Sequence, residues 1–351
     1  MSLYPFVEPA LDALGIWPPT LQIAQIDSLL GCYYPHLSVD RPALIGLLTD
    51  ESQCQRLSSL LQLAYPANHT IKIVSLASST TKPFLQTLPL KELATTSLNH
   101  GASLLYLPQL SFTGAVETFQ DTVAHLRAPD GCPWDRKQTH RSLRSSFQEE
   151  VYEVLDTLDR DDLEGLKEEL GDVLLQVLMH AQIASQAGEF QMSDIVQHIQ
   201  AKIVRRHPHV FAGLLVNDVD EVLTNWEAIK QQEKGTDASR SVLDSVSRAM
   251  PSLARTQSLQ RHVDWMDGIN VEPDTLLAGI SAAITAMQNE PNHTNRQALL
   301  GDMLFEISNL ARKWGIDAES ALREANNRFE QRFRRWEIEY NETQASFSSK
   351  T

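Results

Sequence analysis

Long apolar runs are missing from this chain. Nowhere does an uninterrupted apolar stretch approach the roughly 20 residues of a membrane span, and the N-terminus has no basic segment leading into an apolar one. A cytoplasmic protein with no membrane partner is therefore expected. Cysteine is scarce: Cys32, Cys54 and Cys132 stand without CxxC spacing, which excludes the usual zinc patterns and a disulfide framework. Positive charge is in deficit, with 30 Lys plus Arg against 45 Asp plus Glu and a formal net charge of −15. That balance argues against nucleic acid or anionic membrane as partners. A polyanionic substrate would need a local basic patch or metal ions.

What is present begins with length. At 351 residues the chain fits two or three domains, each able to bury its own core. Prolines punctuate the first hundred residues, around short apolar runs such as Ile71–Leu76 and Ser103–Leu107, a texture that predicts mixed α/β structure. After about Phe112 prolines become rare and apolar residues recur at helical spacing. The division expected is a small α/β segment over 1–112, a helical block over 113–235 and a second over 240–345, a mainly α protein overall. Asn217–Glu221 and the polar stretch Gln231–Ser241, with Lys234, Gly235 and Thr236, read as connections. The two helical blocks share a pattern: Glu169-Leu-Gly-Asp172-Val-Leu-Leu in one, Leu299-Leu-Gly-Asp302-Met-Leu-Phe in the other. Each is followed by a basic helix, which reads as a diverged internal duplication.

Within the first block, Phe147, Val151, Leu155 and Leu158 fall on one helix face, expected to be buried. Glu150 and Glu153, three apart, project together beside it. A second helix carries Leu166, Leu170, Val173, Leu174, Val177 and Leu178 as its apolar stripe, with Glu169 and Asp172 three apart. The short connection Asp159–Asp162 favours an antiparallel pair, in which the two carboxylate pairs face each other across the seam. Four convergent carboxylates cannot all ionise without a counter-charge, and a divalent cation is the economical one. An all-oxygen set selects Mg²⁺ or Mn²⁺ over softer metals. Carboxylate-bridged di-iron bundles place Glu-x-x-His on two helices. Here His180 stands eight residues past Asp172 and reads as a packed or capping histidine.

The segments Leu126-Arg-Ala-Pro-Asp-Gly-Cys-Pro-Trp-Asp-Arg-Lys-Gln-Thr-His140, Glu149-Glu-Val-Tyr-Glu153, Glu168-Glu-Leu-Gly-Asp172, Arg205-Arg-His-Pro-His-Val-Phe211 and Asn225-Trp-Glu-Ala-Ile-Lys-Gln-Gln-Glu-Lys234 resemble the MazG family in order and spacing. The resemblance implies an all-α nucleotide pyrophosphohydrolase that forms four-helix bundles as a homodimer and hydrolyses nucleoside triphosphates to monophosphate and pyrophosphate. It implies metal ligands at Glu150, Glu153, Glu169 and Asp172, with Glu149 completing the motif and a candidate general base. Lys202 and Arg206, with Arg205 adjacent, correspond to the family's triphosphate-binding cations, although a basic helix end also suits the helix dipole. Trp134 is a candidate to stack on the base, or to anchor packing.

The second block, from Gln257 to about Glu339, is similar to the second domain of tandem MazG proteins. At its expected ligand positions stand Ala282, Thr285 and Leu299, and Asp302 alone remains, so the block is expected to be inert. The N-terminal third resembles the latter half of a tetrapyrrole methylase domain, at Tyr4–Ile16, Arg41–Ile45 and Pro89–Leu93 through Leu104–Pro108. The loop that would cradle S-adenosylmethionine would precede residue 1, so no methyltransferase activity is expected. Two other readings stay open: a non-catalytic scaffold or regulatory nucleotide-binding protein, and a tetrapyrrole-binding protein related to the methylases.

Overall fold

The computed structural model describes residues 3–75, 83–98, 103–233, 241–264, 266 and 269–348. Lys234, Gly235 and Thr236 of the polar connection lie outside the described residues, as do the expected boundaries at 235 and 240. Residue contacts divide the chain into two compact units, Met1–Gly213 and Leu214–Thr351. Residue 112 therefore falls inside the first unit, where the Asp40 carboxylate accepts the backbone N–H groups of Gly114 and Ala115 at 2.8 and 3.2 Å. These bonds tie the start of the helical part to the α/β part.

In the first unit, strands β1 (Gln22–Gln25), β2 (Ala43–Leu48), β3 (Thr70–Ser75), β4 (Phe84–Pro89) and β5 (Ser103–Leu107) form one sheet in the order β1-β2-β5-β3-β4. The β1–β2 pair is parallel and the others antiparallel. Its central strands β2 and β5 are apolar runs buried almost throughout, as strands covered on both faces must be. One face packs against α2 (Ile26–Leu30) and α3 (Glu51–Leu61), through Ile26, Leu29, Cys54, Leu57 and Leu61. The other packs against α1 (Val7–Leu14) through Ala10. Asp50 caps α3 by accepting the Gln53 N–H at 2.9 Å. The thiols are all free, and burial pushes Cys54 up to about 11.

Beyond Leu107 the described residues hold no strand, and none of their helices is long and apolar enough to cross a membrane. The first unit continues with α4 (Val116–Leu126), α5 (Pro133–Arg136), α6 (Arg144–Asp159), α7 (Leu163–Ala187), α8 (Met192–Arg206) and α9 (Pro208–Phe211). Helix α7 is the post of this assembly: α4, α6 and α8 each pack against it. Its buried residues include Leu178, Met179, Ala181 and Ala184 in its C-terminal half.

The expected burial of one α6 face is corrected. Phe147, Val151 and Leu158 are 36, 40 and 51% exposed, and Leu170 of the α7 stripe is 51% exposed. A single neighbouring helix covers only one side of α6, so in one protomer this apolar face stays on the surface.

The second unit holds α10 (Val219–Glu233), α11 (Ser252–His262), α12 (Pro273–Asn289), α13 (His293–Lys313) and α14 (Ala318–Ser348). Helix α10, assigned to the middle block by sequence, thus belongs to this unit by its contacts. Its arrangement repeats that of the first: α12 packs along α13 as α6 does along α7, while α11 and α14 pack on α13 as α4 and α8 do on α7. Asp264 and Arg312 pair at 2.8 Å, and Asn309 donates to the Ile269 carbonyl at 3.0 Å, holding the loop after α11 to the end of α13.

Candidate active site

The chemistry-bearing side chains gather on the α6–α7 hairpin because its turn is short. Residues 160–162 reverse the chain, with Asp161 in the left-handed region at φ 53°. The next residue caps α7, the Asp162 carboxylate accepting the Gly165 N–H at 3.0 Å. A Cβ at position 165 would stand 2.7 Å from Asp162 Oδ2 and 2.9 Å from Thr157 Cγ2, so a larger residue there would make these side chains shift. Folded back this way, Glu150 of α6 meets Glu169 and Asp172 of α7. One carboxylate oxygen from each lies within 4.8 Å of the others, and all three residues are half-buried. Glu153 stands beside them and acts on both Glu150 and Glu169.

Carboxylates gathered this closely repel one another, so this cluster is short of positive charge. Burial first, and then the charge of Asp172, raises Glu150 above the ordinary carboxylate range. Burial and then the charge of Glu153 do the same to Glu169. No cationic side chain contributes to either shift. An all-oxygen set, crowded and without a counter-charge among these contributions, is what a hard divalent cation fits.

The other sequence-identified residues surround this centre at different distances from its chemistry. Glu149 is exposed and outside the three-carboxylate group, lining a shallow groove of about 530 Å³ along α6 with Tyr152, Glu153 and Asp156. Its orientation follows from adjacent helix positions pointing about 100° apart. Lys202 is half-buried and, with Arg205 and Arg206, occupies the last turn and a half of α8, the helix packed against α7. Trp134 is 63% exposed on α5, which leaves it unable to anchor the core of this protomer.

Two features were not legible as part of the site. Arg127 donates to the carbonyls of Asp135 and Gln138 and to Gln186 Oε1 at 3.0 Å, tying the Trp134 loop to the end of α7. Gly131 lets the chain turn beneath it, since a Cβ there would lie 2.1 Å from the His125 carbonyl oxygen. The second is His140, whose Nδ1 stands 2.7 Å from Nδ1 of His180. His180 had been read as a packing histidine. Its partner's only sequence signal was a place in the Gln-Thr-His run.

Residues 138–211 match the family described as the MazG nucleotide pyrophosphohydrolase domain. That span runs from the start of the His140 loop to the end of α9, contains every candidate carboxylate and cation of the site, and leaves Trp134 outside. The chain is 40% identical over 221 residues to the nucleoside triphosphate pyrophosphohydrolase of Escherichia coli (strain K12), an alignment covering 60% of this chain and 82% of the relative. The chain belongs to the MazG family. It is also 38% identical to the nucleoside triphosphate pyrophosphohydrolase/pyrophosphatase MazG of Thermotoga maritima, over 60% of this chain and 81% of that protein. A longer alignment, 35% identical over 330 residues, links it to the uncharacterized protein YabN of Bacillus subtilis (strain 168), covering 90% of this chain and 67% of that one.

In the second unit the helices corresponding to the MazG hairpin carry Ala282 and Thr285 on α12 and Leu299 and Asp302 on α13. The Thr285 hydroxyl is turned back onto the Ser281 carbonyl at 3.1 Å. The sequence reading left Asp302 as the sole carboxylate there, but Glu306, one turn on, stands beside it. Burial and then Asp302 raise the Glu306 carboxyl above its usual range. Among the described residues, no group of three possible metal ligands forms in this unit.

Proposed function

We propose that this chain is a Mg²⁺-dependent nucleoside triphosphate pyrophosphohydrolase, releasing nucleoside monophosphate and pyrophosphate, with its working site on the α6–α7 hairpin. The observation that carries the reading is the convergence of Glu150, Glu169 and Asp172 within 4.8 Å, with Glu153 beside the first two. These four would hold the cation, Mg²⁺ or Mn²⁺. When bound, the ion supplies charge neutralisation for phosphate oxygens, the larger part of what such displacements require.

The protein's own groups supply the rest. Lys202 and Arg206, four residues apart and so on one face of α8, bind the triphosphate, with Arg205 beside them. Glu149 takes the proton of the attacking water from the exposed side of α6. Trp134, exposed on its short helix, stacks on the base. The exposed apolar stripe of Phe147, Val151 and Leu158 supports a homodimer in which a second hairpin covers it and completes a four-helix bundle. The second unit retains the fold of a MazG domain without its catalysis, and residues 1–112 are a tetrapyrrole-methylase-like segment. The cellular role that follows is housekeeping of the cytoplasmic nucleotide pool.

The test is a panel of ribo- and deoxyribonucleoside triphosphates assayed for pyrophosphate and monophosphate, with Mg²⁺, with Mn²⁺ and after chelation. Equimolar release of both products, abolished by chelation, is expected. Inorganic phosphate as the product, or turnover unaffected by chelation, would overturn the reading.

A further inference from the structure

The pair His140–His180 lies apart from the carboxylates, yet joins the same two helices. The two Nδ1 atoms are 2.7 Å apart, the ring planes are parallel within 2°, and the ring centres are 5.0 Å apart. Each nitrogen stands one ring radius from its centre, so 5.0 Å is about the largest separation that a 2.7 Å nitrogen contact permits. The contact must then lie along the line of centres, and parallel planes containing that line coincide. The rings are therefore edge to edge in one plane, the arrangement of a linear N–H···N hydrogen bond, and are not face to face.

Such a bond needs one protonated and one bare Nδ1. Nε2 of His140 stands 3.9 Å from the Glu189 carboxylate, at the outer edge of the pair. Burial, and then the neighbouring His140, push His180 below the usual histidine range and keep it neutral. From α6 the group facing His180 is the Phe147 ring, edge-on at 6.0 Å between centres, which carries no charge. Among the described residues, the charged group that acts on His180 is His140.

We propose that His140 and His180 form a one-proton clamp, the Nδ1–H of one ring donating to the bare Nδ1 of the other, that positions α6 on α7 and so sets Glu150 against Glu169 and Asp172. The mechanical path is short. His140 sits in the loop leading into α6, His180 is two turns along α7 from Asp172, and Phe147, held edge-on to His180, is one turn before Glu150. His140 and His180 are positioning residues, acting on the cation through the ligands. The proposal deepens the metal-site reading above and rests on it. It also carries a pH signature: with both facing Nδ1 atoms protonated, two N–H groups stand face to face, so the clamp opens as pH falls below the ordinary histidine value of about 6.5.

The test uses the full chain and Mn²⁺ alone as probe. In ¹⁵N spectra at pH 8, the two Nδ1 nuclei should show scalar coupling across the bond, with one of them protonated and the other bare, and the coupling should vanish on acidification. Uncoupled rings in the wild-type protein would overturn the clamp whatever any variant does. By electron paramagnetic resonance of free Mn²⁺ at pH 8, His180→Ala should weaken binding several-fold, while His180→Asn, which keeps an acceptor without a titrating ring, should restore it. Wild-type Mn²⁺ affinity in a folded His180→Ala protein would refute the positioning role. Failure of the wild-type chain to release pyrophosphate, with coupling and the Mn²⁺ effect intact, would sink the enzymatic reading and leave the clamp standing.

Discussion

Replacing Glu150 with Gln should make the metal-free protein more stable and the metal-bound protein less so. In the absence of a cation, Glu150 faces the Asp172 charge with oxygens within 4.8 Å. Two like charges at that range cost about 1 kcal/mol in water-like surroundings. The partial exposure of the site keeps the value near that lower bound. Glutamine preserves shape and removes the charge, so in excess chelator the Tm of a unit this size should rise by about 2–4 °C. Saturating Mg²⁺ should reverse the order, because ligand at 100 times its Kd adds about 2.7 kcal/mol to a protein that binds it and little to one that has lost a ligand. The pH dependence has a definite sign. The Glu150 carboxyl is raised above its ordinary 4.5 in the folded state, so its contribution to stability is fully present below that value and is lost as pH rises through the raised one. Metal-free wild type should therefore gain stability on mild acidification, and Glu150→Gln should lack that part of the gain. Scanning calorimetry of both proteins, with chelator and with Mg²⁺ across pH 4.5–8, reads all of this. A variant no more stable than wild type in chelator, or stabilised equally by Mg²⁺, would show that the carboxylates are neither strained against one another nor metal ligands.

Three further outcomes are expected. Lys202→Ala and Arg206→Ala should raise KM for triphosphates while leaving inhibition by monophosphates unchanged, and equal loss of both in steady-state kinetics would assign these cations a structural role. Asp302→Ala should leave kcat nearly unchanged, since Ala282, Thr285 and Leu299 leave the second unit without a metal site; a large loss with intact circular dichroism would place catalysis there. Gly131→Ala must accommodate a Cβ built 2.1 Å from the His125 carbonyl oxygen, so its Tm should fall, by an overpacking cost of about 1–3 kcal/mol. An unchanged Tm would mean that the Trp134 loop is freer to move than its Arg127 anchors imply.

The carboxylate pairs Glu150/Glu153 and Glu169/Asp172 were legible from sequence because helical periodicity is local. A spacing of three puts two side chains on one face whatever the tertiary context, and a short connection leaves an antiparallel hairpin as the way back. The α/β texture of the N-terminal third and the helical remainder were legible for the same reason, since proline and apolar spacing act within a few residues. The strand order β1-β2-β5-β3-β4 was not, because it is set by contacts between segments as far apart as β2 and β5. Nor was the exposure of Phe147, Val151 and Leu158 in one protomer: periodicity marks which face is apolar, and only the packing of neighbours decides whether anything covers it. The same division runs through the site. Sequence by itself determined the ligand types and their pairing along each helix. Tertiary structure decided that Glu149 lines an exposed groove with Glu153 outside the Glu150–Glu169–Asp172 group, that Glu306 stands beside Asp302, and that His140 meets His180 across forty residues of chain, because side-chain direction and long-range contact are fixed only when the helices pack.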